Sequence, residues 1–182
     1  MPRIPYPDEA SLSASVREHL GEIPANVTRM MAAASEPVFR AVSEVGGAFI
    51  KGSPLPPKLR ELAILRVGYL SNAAYETFQH EALGKFVGLS DEQIDAIRAG
   101  DRDSGSLDAA ERAVLEFVDD VVANIRASDA TLSAVRNHLD DTQLVDLILV
   151  TGCYMMISRF LETTGVEIDA DPIDWANFTK EN

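Results

Sequence analysis

Apolar residues recur along this chain at intervals of three and four, and no stretch alternates convincingly with period two, so the pattern predicts an all-α fold. Ser11 caps a first helix reaching about Leu20, and Pro24 starts a second whose Val27, Met30 and Met31 form a stripe. Ser35, Glu36 and Pro37 open a third, carrying Val38, Phe39, Val42, Val45 and Phe49. Lys58 to Leu70 is nearly apolar all round, the Ser71 and Asn72 turn ends it, and the next helix spans Ala73 to Val87 before Gly88. Leu89, Ser90, Asp91 and Glu92 begin a short helix to Arg98; Asp108 caps one through Asn124; Asp129 caps one ending near His138. The longest runs from Asp141 to Thr163 and is closed by Gly165. Pro2, Pro5 and Pro7 hold residues 1–10 extended, an arm suited to crossing onto a neighbour, while Trp175 and Phe178 are packing anchors for an acidic tail.

At 182 residues, 46% hydrophobic and 25% charged, the chain reads as one globular domain, residues 1–182, with Gly100 to Gly105 its most linker-like stretch. The net charge is -13, from 29 acidic and 16 basic residues, which argues against nucleic acid and anionic membranes as partners. Met1 to Asp8 has no apolar run of the signal-peptide kind, so a cytoplasmic location is expected. Within the last long helix Asp146 and Arg159 leave only about a dozen uncharged residues, short of a bilayer span. The lone Cys153 excludes an intrachain disulfide and reads as a small buried packing residue. Segments near Leu55 to Leu65 and Leu89 to Ile94 recur faintly about fifty residues on, as Leu107 to Leu115 and Leu139 to Leu144, consistent with a duplicated helical hairpin.

The candidate chemistry lies in the fifth predicted helix. Glu76 and His80 stand one turn apart on a face shared with Ala73, Leu83 and Val87, so they point toward a core or cleft. Such a pair is often only a satisfied surface contact, but Glu61, embedded among Leu59, Leu62, Ala63, Ile64 and Leu65, is a second carboxylate that needs a reason to be there. Arg66 and Arg159 also interrupt apolar helices, and each should pair with Glu61, Asp146 or Glu162, or with the acid group of a substrate. His19 and His138 read as exposed helix-end caps. No phosphate loop, nucleophile elbow or His-Glu-x-x-His occurs, no second His joins His80 on its helix, and no metal or cofactor is expected.

The order Leu55-Pro56-Pro57-Lys58-Leu59-Arg60-Glu61, then Tyr75, Glu76 and His80, then Gly88-Leu89-Ser90-Asp91-Glu92, resembles the carboxymuconolactone decarboxylase family over roughly residues 37 to 168, whose fold is shared with alkylhydroperoxidase D. The resemblance divides the chain into an N-terminal arm and helices, 1–36, a family-like core, 37–168, and a tail, 169–182. In the peroxidase branch a Cys-x-x-Cys pair works with a Glu and a His; here those Cys positions read Ala73 and Glu76, while Glu61 and His80 hold the Glu and His positions. Glutamate at the second Cys position is similar to the decarboxylase branch, which commonly has His where this chain has Tyr75. The resemblance implies a cofactor-independent lyase, of the kind met in aromatic catabolism, acting on a small lactone or unsaturated acid. It would place His80 as proton donor, Glu76 orienting it, Glu61 relaying protons, and Tyr75, Arg66 and Arg159 at the substrate. A peroxidase-like activity is disfavoured for want of the two thiols, and a non-catalytic oligomeric binding protein is the alternative that Tyr75 keeps open. More apolar faces exist than one chain can hide, so a homo-oligomer is expected, a trimer or hexamer as is typical of the family.

Overall fold

The computed structural model describes residues 1–178, with Phe178 by its backbone alone; the anchoring expected of the Phe178 side chain, and residues 179–182 of the tail, lie outside the described residues. Among the described residues there is no strand. A short 3-10 turn, Glu9–Ser11, is followed by ten α-helices: α1 (Ala14–Glu22), α2 (Asn26–Met31), α3 (Glu36–Lys51), α4 (Pro57–Leu70), α5 (Ala74–Phe86), α6 (Asp91–Ala99), α7 (Ala109–Asn124), α8 (Asp129–Arg136), α9 (Asp141–Thr164) and α10 (Trp175–Phe178).

Helix α4 is the hub, because its apolar residues face every direction. It packs against α5, α6, α7 and α9, and Leu62, Ala63, Ile64, Leu65 and Val67 are fully buried. Each large side chain sealed this way contributes ~1.5–3 kcal/mol relative to exposure. The two segments with faint internal similarity begin at Leu55 and Leu107, both buried, and lead into the adjacent helix pairs α4/α5 and α7/α8. Three helix starts carry reciprocal capping boxes, Ser90 with Gln93, Asp108 with Glu111 and Asp140 with Gln143. Two expected caps shift by a residue or two. Ser13, not Ser11, accepts from Val16 N to start α1, and Ser128, not Asp129, accepts from Thr131 N to start α8, because the capping oxygen must reach the third helical N–H.

The proline-rich arm does not reach outward. Arg3 N and Ile4 N both donate to the carbonyl of Thr164 at the end of α9, and the Met1 ammonium lies 3.1 Å from Glu167. The fit is close: Gly165 takes the left-handed conformation (φ 69), and a Cβ there would meet Arg3 N at 3.2 Å.

Helix α9 packs one face on α4 and leaves another bare. Val145, Ile148, Leu149 and Met156 stand exposed along it at helical spacing. Its most apolar 18-residue window has a mean hydropathy of 1.7 and is 39% buried, so by length and composition alone this helix could cross a membrane despite Asp146 and Arg159.

Candidate active site

Helices α4 and α5 run close together at Gly68, where an added Cβ would sit 3.0 Å from the Thr77 methyl. That approach lets their acidic and basic side chains meet under the surface. Arg60 Nε donates to Glu61 Oε1 at 2.9 Å, Glu61 Oε2 meets His80 Nδ1 at 2.7 Å, and His80 Nε2 lies 3.0 Å from Glu76 Oε1. Arg60 also donates to the carbonyls of Phe49 and Ile50 in the last turn of α3. All four residues are at most 5% exposed.

Two cations and two anions thus alternate in one buried row, neutral when His80 carries its proton. Burial alone would strip that proton from the imidazole, but the two flanking carboxylates outweigh it and raise the His80 pKa to about 10. Glu76 is the open end of the row. Its Oε1 reaches His80 by distance but not at the angle of a hydrogen bond, and it has no hydrogen-bond partner. A buried carboxylate oxygen in that condition costs free energy unless something arrives to use it.

Glu76 lines a cavity of about 150 Å³, together with Tyr75, Gln79, His80, Tyr154 and Trp175, walled by aliphatic side chains of α2, α3 and α9 and by Ile23 just past α1. His80 meets Tyr154 edge-on, with ring centroids 5.0 Å apart, and Trp175 is tilted against it at 5.9 Å.

Residues 36–120 match the sequence profile of the carboxymuconolactone decarboxylase family. Over that stretch, a little under half of the chain, the sequence is similar to this family. Among solved structures, an uncharacterized peroxidase-related protein from Ralstonia eutropha, described as an alkylhydroperoxidase AhpD core, superposes with a TM-score of 0.80 at 21% identity, over 98% of this chain and 94% of that one. A protein of unknown function from Agrobacterium tumefaciens gives 0.70 at 25% identity, over 77% and 96%. A debrominase in complex with 2,3,4-tribromopyrrole gives 0.74 at 11% identity, over 92% of each chain. These likenesses establish the alkylhydroperoxidase D-like helical fold. Among curated proteins there is no match.

Within this carboxymuconolactone decarboxylase-like core, Glu61, Glu76 and His80 come together as the sequence predicts. Ala73 lies buried at the start of α5, and no thiol stands beside Glu76 on that helix. Cys153 packs against the main core as expected, but it is half-buried rather than buried and also forms part of the cavity wall, with its thiol pKa pushed up first by burial and then by the Glu76 charge, which keeps it from being a thiolate. His19 also lines the cavity instead of standing exposed, 3.5 Å from Glu22, whereas His138 is exposed just past α8.

Neither arginine reaches the cavity. Arg66 pairs with Asp119 and donates to the carbonyls of Ile97 and Arg98, tying α4 to α7 and to the end of α6. Arg159 is exposed and donates to the carbonyl of Met155 one turn back on α9; among the described residues it has no carboxylate partner. Both arginines satisfy a need that the helices themselves create, and a substrate acid group finds no guanidinium here.

Tyr75 lines the cavity, but its hydroxyl is committed elsewhere. It donates to Asp169 and accepts from Val27 N at 3.2 Å, and burial, reinforced by Asp169, pushes its pKa upward. Asp169 belongs to a segment, residues 167–175, that straps across the cavity. Its second oxygen accepts from Asn26 N at 3.0 Å, capping α2, which has no cap of its own. Gln79 fastens the strap three times: its amide N donates to Asp169 at 2.9 Å, its amide O accepts from Ile173 N at 2.8 Å, and its backbone carbonyl accepts from Trp175 Nε1 at 3.2 Å.

Proposed function

We propose that this protein is a cofactor-independent acid–base catalyst of the carboxymuconolactone decarboxylase kind, acting in the cytoplasm and moving a proton to or from a carbon atom of a small unsaturated substrate. The observation that carries this reading is the buried row from Arg60 through Glu61 and His80 to Glu76, a carboxylate that lines the cavity and has an oxygen without a hydrogen-bond partner. Both ring nitrogens of His80 face carboxylates, so Glu76 is the group that meets substrate. His80 supplies and recovers the proton behind it, and Glu61, clamped by Arg60, holds the imidazole in register.

Incubating the protein in heavy water with a panel of small lactones and unsaturated acids, while following deuterium incorporation at carbon and release of carbon dioxide, tests this directly. At least one compound is expected to exchange at a rate that Glu76→Gln lowers by at least tenfold, within the range of general acid–base contributions. A panel with no exchange above the uncatalysed rate overturns the reading.

We further propose that the exposed stripe on α9, Val145, Ile148, Leu149 and Met156, is covered by a second copy of the chain in a closed homo-oligomer. Light scattering at micromolar concentration is expected to report a multiple of 19.8 kDa. A 19.8 kDa particle refutes the assembly.

A further inference from the structure

Helix α3 carries two adjacent glycines, Gly46 and Gly47, in its interior. A glycine there is less favourable than alanine by about a factor of two to five in the folding equilibrium. Two other helical glycines have a packing reason. A Cβ at Gly68 would press on the Thr77 methyl at 3.0 Å, and one at Gly84 on Leu89 at 3.0 Å. At Gly46 and Gly47 a Cβ would meet nothing within 4 Å. Gly152 is open too, but it stands exposed on the bare face of α9. Gly46 and Gly47 line the cavity instead.

The mounting of α3 explains why the gap persists. Phe39, near one end, is buried against Val16 and Leu20 of α1; Phe49, near the other, joins the main core, where Arg60 donates to the carbonyls of Phe49 and Ile50. Between these anchors the helix spans the cavity. Val42 and Ser43 one turn before Gly46, and Ile50 one turn after it, also line the cavity, whereas Glu44 and Ala48 are exposed, so Gly46 sits centrally on the inward face. The backbone of a helix interior has its N–H and C=O groups bonded within the helix, so at Gly46 it offers a ligand contact surface and no hydrogen bond. We propose that the compound held in this cavity lays a hydrocarbon portion, a ring or short chain, on the bare α3 backbone at Gly46, and that Gly46 is the specificity-determining residue that admits it. This rests on the reading of the cavity as the substrate site and adds to it the residue that limits substrate size. The helix stability given up at Gly46 is the space the ligand fills.

Iodobenzene is a neutral hydrocarbon probe whose heavy atom quenches indole fluorescence, and Trp175, the chain's single tryptophan, lines the cavity, so quenching reads occupancy without turnover. An apolar cavity of about this volume in another protein holds a benzene molecule. Titration of the full chain is expected to give saturable quenching, which Gly46→Leu weakens at least about tenfold by filling the space. The same substitution replaces a poor helix former with a good one and meets no atom, so the melting temperature is expected to rise by about 1–4 °C. Ala48→Leu adds its bulk on the exposed side of α3 and is expected to leave probe affinity unchanged. Absence of saturable quenching in the unaltered protein, binding that Gly46→Leu does not weaken, or equal weakening by Ala48→Leu overturns the inference. So does a lower melting temperature for Gly46→Leu, which would make Gly46 a packing residue. Probe binding that Gly46→Leu abolishes, in a protein that exchanges deuterium on no compound, removes the acid–base reading and leaves this one standing. Exchange that Gly46→Leu does not slow removes this inference and leaves the acid–base reading.

Discussion

Arg60→Ala is expected to cost the fold ~3–5 kcal/mol, the toll of leaving one member of a buried ion pair alone. Arg60 is 3% exposed and Glu61 fully buried, so water cannot replace the guanidinium. Its loss would strand an anion between His80 and nothing, turn a neutral row into one of charge minus one, and free the carbonyls of Phe49 and Ile50 at the end of α3. For a domain whose whole stability is on the order of 5–15 kcal/mol this is a large share. Urea unfolding followed by circular dichroism measures it. Arg60→Ala combined with Glu61→Gln should recover part of the loss, because the stranded charge is removed along with its partner. A single-variant cost below about 1 kcal/mol would show that the row is solvated in a way the packing does not allow.

His80→Gln is expected to lower turnover by about 10² to 10⁴, on whichever compound exchanges deuterium, since the replacement keeps a polar side chain but cannot carry a proton. A loss smaller than tenfold would sink the assigned role. The same variant has a second signature. His80 has a folded-state pKa near 10 against an ordinary value of 6.5, so the proton is held more tightly in the folded chain than in the unfolded one. The stability this contributes is complete below about pH 6.5 and is lost as pH rises through 10. The melting temperature of the unaltered protein should therefore fall between pH 7 and pH 10 by more than that of His80→Gln. Parallel pH profiles for the two proteins would show that His80 is not the imidazolium of this row.

Helix content and the Glu61, Glu76 and His80 set were legible in the sequence because both rest on local rules. Spacing by four places two side chains on one face, and a carboxylate in a helix apolar all round has nowhere to go but inward. The arginines show where local rules stop. An arginine in an apolar helix needs a partner, but the sequence does not say which, and Arg66 finds Asp119, fifty-three positions away. By the same rule Arg60, adjacent to Glu61 in the same apolar run, carries the signal of a buried pair, and the two side chains do meet at 2.9 Å. Tyr154 and Cys153 gave weaker signals, lying in a helix that is apolar on both sides, where the face that meets α4 cannot be told from the face that is left bare. The bonds of the arm to Thr164 are not legible for a similar reason: prolines announce an extended segment but say nothing of the surface it lies on. The strap was beyond reach, since two of its three bonds to Gln79 have one end on a backbone group that every residue possesses.

The cap that Asp169 places on α2 also sets an order of events during synthesis. Asn26 and Asp169 are 143 positions apart, so a six-residue helix too short to persist alone has no cap until residue 169 has left the ribosome. At bacterial and eukaryotic elongation rates that wait is on the order of 7 to 30 s. Helices α4 to α9 can gather around their hub in that interval, but the cavity stands roofless, its aliphatic wall open to solvent and to chaperones. The cavity beside Glu76 and His80 is therefore closed only after the α4 and α5 row behind it can form.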